Sequence, residues 1–343
     1  MSRAAGPPLA LTLGEPAGIG PDLTLDLWRR RRALDLPAFY VIGNVDFLAR
    51  RARALGLEVP LAKGAPPDAG ETFARALPVA PLDLPVTAAP GKPDGTSAPA
   101  AIESIRRAVA DAISGVAAAV VTNPIAKNVL TRAGFPDPGH TEFLARLAQE
   151  ATGEKVTPVM MLWSPELVVV PVTIHIPLRQ VVSALSRELI VETGRIVAHG
   201  MKTRFRIARP RLAVAGLNPH AGEEGTLGEE DEAVVAPAVA QLRSEGIDAT
   251  GPMPADSMFH AAARARYDVA LCMYHDQALI PIKTLAFEHG VNVTLGLPFV
   301  RTSPDHGTAF DLAGTGKADA GSLAAALKLA ARLSAEAPAA APV

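Results

Sequence analysis

The sequence predicts a three-layer α/β protein built on a mostly parallel sheet. Short, continuous apolar runs recur along the chain, as strands covered on both faces require. Each run ends in a Gly, Pro or Asn turn and is followed by a segment of helical periodicity. Such alternation puts helices on both faces of a sheet. No internal repeat of solenoid or propeller length competes with this reading. Strands are expected at 9–13, 39–42, 115–121, 166–174, 211–217 and 268–273. Helices are expected at 21–33, 45–55, 98–113, 141–150, 186–202, 231–245 and 322–335. The Pro- and Gly-rich stretch 60–93 reads as a surface connection or a short hairpin, and 335–343 as a frayed tail.

A chain of 343 residues is long enough for about two domains. With 49% apolar and 20% charged residues it is globular rather than disordered. Basic and acidic side chains number 33 and 35, a net charge of −2 that leaves no basic footprint for nucleic acid. A single cysteine fits a reducing compartment. No apolar run reaches membrane-spanning length, and the start does not read as a cleavable signal. The expectation is a cytoplasmic enzyme without nucleic-acid or membrane partners.

In open α/β sheets ligands bind beyond the carboxyl ends of the strands. After the first strand comes Gly14-Glu15-Pro16-Ala17-Gly18-Ile19-Gly20-Pro21, and after 115–121 comes Thr122-Asn123-Pro124-Ile125-Ala126-Lys127. The next three strands lead into His175, His220 and His275. A lone histidine is more often a hydrogen-bonded structural residue, as His199, His260 and His289 read here. The trio differs because its position relative to the strand recurs. Three imidazoles without cysteine suit a catalytic divalent metal such as Zn²⁺ rather than a closed structural site.

A second cluster is directed at anions. Gly139-His140-Thr141-Glu142 opens a helix, with Thr141 as N-cap and unpaired N–H groups free to meet phosphate. Simple capping explains the same residues without a ligand. Lys283 and Arg301 add cations suited to phosphate, or equally to solvated surface. Common motifs are missing: Gly14, Gly18 and Gly20 do not make G-x-G-x-x-G. Gly314-Thr315-Gly316-Lys317 resembles a P-loop end, but Asp311 replaces its first glycine and Ala318 its Ser/Thr. There is no G-x-S-x-G elbow and no H-E-x-x-H helix. Cys272 lies in an apolar strand and reads as inert core.

At these residues the chain resembles the 4-hydroxythreonine-4-phosphate dehydrogenase family of pyridoxal phosphate biosynthesis. The resemblance runs nearly end to end. It includes Gly14 to Pro21, Gly139 to Glu142, Asn218-Pro219-His220-Ala221-Gly222-Glu223 and Tyr274-His275-Asp276-Gln277. Its longest block runs from Gly290 to Pro298 and continues through Arg301-Thr302-Ser303 and Asp305-His306-Gly307-Thr308-Ala309. Around His175 the chain reads Thr173-Ile174-His175-Ile176-Pro177, where many members have Thr-Thr-His-Leu-Pro.

The resemblance implies two α/β/α domains with a cleft between them, similar to isocitrate and isopropylmalate dehydrogenases. Residues 1–123 plus 300–343 would form a nucleotide-side domain and 124–299 a metal- and dimer-forming domain. It implies a homodimer with the active site at the interface and one divalent metal (Zn, Mg or Co) per site, held by His175, His220 and His275. His140, Thr141, Lys283, Asn292 and Arg301 would contact substrate, and His306, Gly307 and Thr308 the NAD or NADP. The implied reaction oxidises the 3-hydroxyl of 4-phosphooxy-threonine and releases CO₂ to give 3-amino-2-oxopropyl phosphate. Lys283 and Asp256 are alternative proton acceptors, although Asp256 also reads as a helix N-cap. Two other readings stay open: a paralogue acting on a four-carbon sugar-acid phosphate or an aromatic dihydrodiol, and a non-redox metal aldolase or phosphatase.

Overall fold

The computed structural model describes residues 6–335 except 136 and 138. The expected start at residues 1–5 and the tail 336–343 lie outside the described residues. In chain order the elements begin with β1 (Leu9–Thr12), α1 (Gly20–Arg30), β2 (Phe39–Gly43), α2 (Val45–Ala54), β3 (Leu61–Lys63), α3 (Ala69–Thr72) and β4 (Leu77–Pro81). They continue with α4 (Ala98–Ile113), β5 (Val120–Val121), α5 (Lys127–Arg132), α6 (His140–Thr152), β6 (Val159–Trp163), β7 (Val168–Thr173), α7 (Leu178–Ala184) and α8 (Arg187–Thr203). The remainder is β8 (Arg211–Ala215), α9 (Ala236–Ser244), β9 (Asp248–Met253), α10 (Ala261–Arg264), β10 (Val269–Tyr274), α11 (His275–Ala286), β11 (Val291–Leu295), β12 (Arg301–Pro304) and α12 (Gly321–Ala335).

The helix starts follow local chemistry. Pro21 opens α1, whose last turn carries Arg29 and Arg30. Asn44 caps α2 by accepting from the Phe47 N–H at 2.9 Å, and Ser186 caps α8 by accepting from Leu189 at 3.1 Å. Gly153, at φ +74°, closes α6 in the left-handed region where glycine is unstrained.

The chain divides into two compact units, residues 6–158 with 297–335 and residues 159–296. The expected border at 123/124 is therefore displaced. The reason is packing: Phe143, Leu144 and Leu147 of α6 join Ile105, Val109 and Val120 in one core, and Phe135 meets Phe143 edge-on at 4.8 Å. Residues 124–158 bury their apolar side there.

In the first unit the strand order is β3-β4-β2-β1-β5-β12, with every pairing parallel. The stretch 60–93 supplies β3 and β4, which pair in parallel across α3, so it is not a hairpin. In the second unit the order is β11-β6-β7-β10-β8-β9. There β6 runs antiparallel to both neighbours, while β7, β10, β8 and β9 are parallel. Its core includes Leu162, Val169, Ala213, Ala270, Cys272 and Ile282. The helix expected at 231–245 begins as a π-helical turn at Asp231–Val235 before α9.

This topology decides where chemistry can collect. In the first unit β1, β5 and β12 are adjacent and parallel, so Gly14–Pro21, Thr122-Asn123 and Asp305–Thr308 leave one edge. In the second, β7, β10 and β8 are adjacent and parallel, so the segments bearing His175, His275 and His220 leave one edge with His275 in the middle.

Candidate active site

In the second unit, Tyr274 pairs with Thr173 across β10 and β7, and the Thr173 hydroxyl donates to the Met273 carbonyl at 2.7 Å. The two strand exits are thereby locked in register. His175 and His275 follow, with ring centroids 5.5 Å apart and planes inclined by 46°. Two imidazoles bound at about 2.0–2.1 Å to one tetrahedral ion place their centroids roughly 5 Å apart. The pair therefore fits a shared cation. Nδ1 of His275 lies 2.7 Å from the Asp276 carboxylate, which favours the proton on Nδ1 and leaves the Nε2 lone pair for a ligand.

His175 and His220 have φ of +50° and +55°. A non-glycine residue in this region costs about 1–2 kcal/mol, and such strain gathers at functional sites. The turn Pro219–Gly222 carries His220 and packs against the turn Ala255–Ser257 that holds Asp256. His220 lines an open depression of about 710 Å³ with Glu223, Glu224, Thr226, Pro252 and Pro254. Among the described residues, no three His, Cys, Asp or Glu side chains of this chain come together as a metal-holding group. The structure thus brings His175 and His275 together, and His220 does not join them within one chain.

Asp256 is exposed and makes no cap, since its turn is preceded by Pro254. Lys283 stands two turns along α11 from His275, its ammonium 6.0 Å from the Phe287 ring centre. Asn292 sits on β11 opposite Leu162. Two buried side chains to which the sequence reading gave no role, Gln277 and Asp231, bond the backbone of the histidine-bearing loops. Nothing in an isolated Gln or Asp marks such a role before the loops are placed. Cys272 is fully buried and burial pushes its thiol up, in keeping with inert core.

The first unit holds the anion-directed residues. Arg301 is 4% exposed, and its Nη2 and Nε donate to the Thr122 hydroxyl at 2.7 and 3.2 Å. Burial pushes this guanidinium down to about 10, so it stays charged at neutral pH. His140 is the first residue of α6, and the cap position belongs to Gly139, not to Thr141 as expected. The carboxylate of Glu142 folds back over it: a Cβ at residue 139 would lie 2.7 Å from Glu142 Oε2. Nε2 of His140 is buried without a protein partner. Burial, and then the Arg301 charge, hold this imidazole well below its ordinary range. A neutral ring with an unmet polar atom beside a buried Arg is a receptive place for a phosphate oxygen.

That imidazole also has a consequence for stability. Above pH 6.5 both folded and unfolded His140 are neutral; below it the unfolded ring gains a proton that the folded ring resists. The unfolded state then binds more protons, and stability falls as pH drops below about 6.5, by up to about 1.4 kcal/mol per pH unit. Thermal melts of His140→Asn are expected to show a flatter pH dependence between pH 6.5 and 5 than wild type. An unchanged slope would contradict the buried neutral ring.

The loop after β12 carries His306, Gly307 and Thr308. The Thr308 carbonyl accepts from the Ile19 N–H at 3.0 Å, and a Cβ on Gly18 would lie 2.9 Å from that carbonyl. The two loops can close on each other only because residue 18 is glycine. Gly14, at φ +71°, is equally constrained, since a Cβ there would lie 2.5 Å from Asn123 Cβ. Nε2 of His306 is buried without a protein partner, an atom a bound ligand could satisfy. Glu15 is buried in the same loop; desolvation raises its carboxyl above the ordinary range although it accepts from the Ala17 N–H. The near-P-loop turn is tied down instead, the Gly314 N–H donating to Asp22 at 2.6 Å.

Among the described residues no helix is long and apolar enough to cross a membrane. A family model described as pyridoxal phosphate biosynthetic protein PdxA matches residues 35–330. The 4-hydroxythreonine-4-phosphate dehydrogenase of Bradyrhizobium diazoefficiens is 62% identical, the alignment covering 98% of this chain and 99% of the relative. The protein of the same name from Xanthobacter autotrophicus is 61% identical over 95% of this chain and 93% of its own length. The crystal structure of 4-hydroxythreonine-4-phosphate dehydrogenase from Klebsiella pneumoniae superposes with a TM-score of 0.84 at 38% identity, covering 96% of this chain and 99% of that one.

Proposed function

This chain belongs to the PdxA family of pyridoxal phosphate biosynthetic proteins, and on that premise we propose that it oxidises 4-phosphooxy-threonine with NAD or NADP. The reaction removes a hydride from C3, for which the nicotinamide would be the acceptor, and the hydroxyl proton, which passes to a base; the resulting β-keto acid loses CO₂ to give 3-amino-2-oxopropyl phosphate. The observation that carries this reading is the His175–His275 pair at the exits of adjacent parallel strands, rings 5.5 Å apart. His175, His220 and His275, the three drawn from two copies of the chain, would hold a divalent cation (Zn, Mg or Co), which would supply Lewis-acid polarisation of the substrate hydroxyl, and NAD or NADP would supply the hydride acceptor.

The chain's own residues do the rest. Arg301, fixed by Thr122, and His140 with Thr141 at the start of α6 receive the phosphate and so orient the distant carbinol. Lys283 and Asn292 complete the substrate contacts, and either Lys283 or Asp256 accepts the proton. His306, Gly307 and Thr308 serve the nucleotide. A homodimer is supported by apolar side chains standing in solvent on or just past the helices that follow the two paired histidines: Leu178 (68% exposed) and Val182 on α7, Ile280 on α11 and Phe287 (76% exposed) at its C-terminal end. Relatives named as dehydrogenases leave the aldolase and phosphatase readings without support.

The test follows the near-ultraviolet absorbance of reduced nicotinamide with purified protein, 4-phosphooxy-threonine, either nicotinamide and a divalent cation. Absorbance should rise with release of CO₂ and stop on chelation. No rise with any cation would overturn the reading.

A further inference from the structure

We infer that Gln277 and Asp231 are positioning residues that fix the placement of His275 and His220. Gln277 is 8% exposed and stands third in α11, a helix with no side-chain cap at Tyr274. Its side-chain oxygen instead accepts from the Met273 N–H at 2.6 Å, two residues before His275. This resembles a capping box shifted one residue upstream. Its amide nitrogen donates to the Gly216 carbonyl at 2.7 Å, at the exit of β8. One side chain therefore ties together the two neighbouring strand exits that carry a proposed ligand each.

Asp231 completes the clamp from the other side. It is fully buried and accepts from the Leu217 N–H at 2.7 Å and the Asn218 N–H at 3.0 Å, the latter two residues before His220. A Cβ at 216 would lie 2.9 Å from its Oδ1, and one at 222 would lie 3.2 Å from its Cβ. Glycines on both sides let the carboxylate press against the turn in which His220 and Ala221 hold left-handed backbone angles. Met273, Gln277, Gly216 and Asp231 are thus linked by one polar connection, bonded at each step and buried from Met273 to Gly216. A general packing role would need only apolar contact. Bonds to the backbone just before each histidine fix where the two rings emerge.

The inference rests on the reading of the three histidines as metal donors, and the test separates the two. Metal-free protein is titrated with Co²⁺, reading the visible absorption of the bound ion, and folding is checked by circular dichroism. Gln277→Met, Gln277→Glu and Asp231→Asn are compared with wild type. Folded variants are expected to bind Co²⁺ about 10–100-fold more weakly, with an altered band shape, as loss of support behind a ligand produces. Gln277→Glu keeps an acceptor for Met273 but sets a buried carboxylate oxygen against the Gly216 carbonyl, so it should bind Co²⁺ at least as weakly as Gln277→Met. Folded variants that melt lower yet bind Co²⁺ with wild-type affinity and spectrum would reduce both residues to structural roles and overturn the inference. Failure of wild-type protein to take up Co²⁺ would instead overturn the histidine reading.

Discussion

Replacing His275 with alanine is expected to strip the divalent cation and lower kcat/KM by at least about a thousandfold, some 4 kcal/mol of transition-state stabilisation. His275 is the central member of the spatial order β7-β10-β8 and the only one whose ring meets that of His175. Its Nδ1 is already occupied by Asp276 at 2.7 Å, so the ring has one nitrogen to offer and is aimed by the other. Alanine removes the donor and leaves His175 without its neighbour. His289→Ala is the control, because that ring sits on the surface 3.1 Å from Glu166, which precedes β7 and so lies at the entrance end of that strand, opposite its exit. Metal content by mass spectrometry and steady-state kinetics read the result. A full metal complement with near wild-type turnover in His275→Ala would remove this residue from the chemistry.

Arg301→Met is expected to raise KM for the phosphorylated substrate about a hundredfold, or about 3 kcal/mol, the scale for losing a buried charged hydrogen-bonding partner. The guanidinium is 4% exposed and its fork is already fixed on the Thr122 hydroxyl, so little ordering remains to be done when a phosphate arrives. His140 beside it is neutral and has an unmet Nε2. With 4-hydroxythreonine, which lacks the phosphate, the variant and wild type should turn over at nearly the same rate. It should also weaken inhibition by inorganic phosphate. Equal losses for both substrates would place Arg301's effect in the fold and not in phosphate recognition.

Several of these features are legible in the sequence because their cause is local. The runs at β1, β2, β8 and β10 are apolar apart from Thr12 and the exposed Arg211 at two strand ends, as strands buried on both faces must be. The caps at Asn44 and Ser186 need only one side chain and the next turn. The recurrence of His after three strands is visible without coordinates because parallel topology makes strand ends equivalent. Other features depend on distant partners. β3 is three residues long and half exposed, β4 contains two prolines, and β12 begins with Arg301, so none reads as a buried strand. The assignment of 124–158 to the first unit follows from the Phe143 face of α6, which the local pattern cannot direct to one core or another. Thr141 looks like a cap by residue type, yet Gly139 takes the position because Glu142 folds back over it. Gln277 and Asp231 acquire meaning only when residues some 60 and 14 positions away arrive beside them.

The most direct measurement is anomalous scattering at the metal edge from crystals grown with Zn²⁺ or Co²⁺. The account expects one ion per chain at about 2.0–2.1 Å from imidazole nitrogens of His175, His220 and His275, the three contributed by two copies. An ion coordinated elsewhere, or histidine rings left bare while the enzyme turns over, would contradict it.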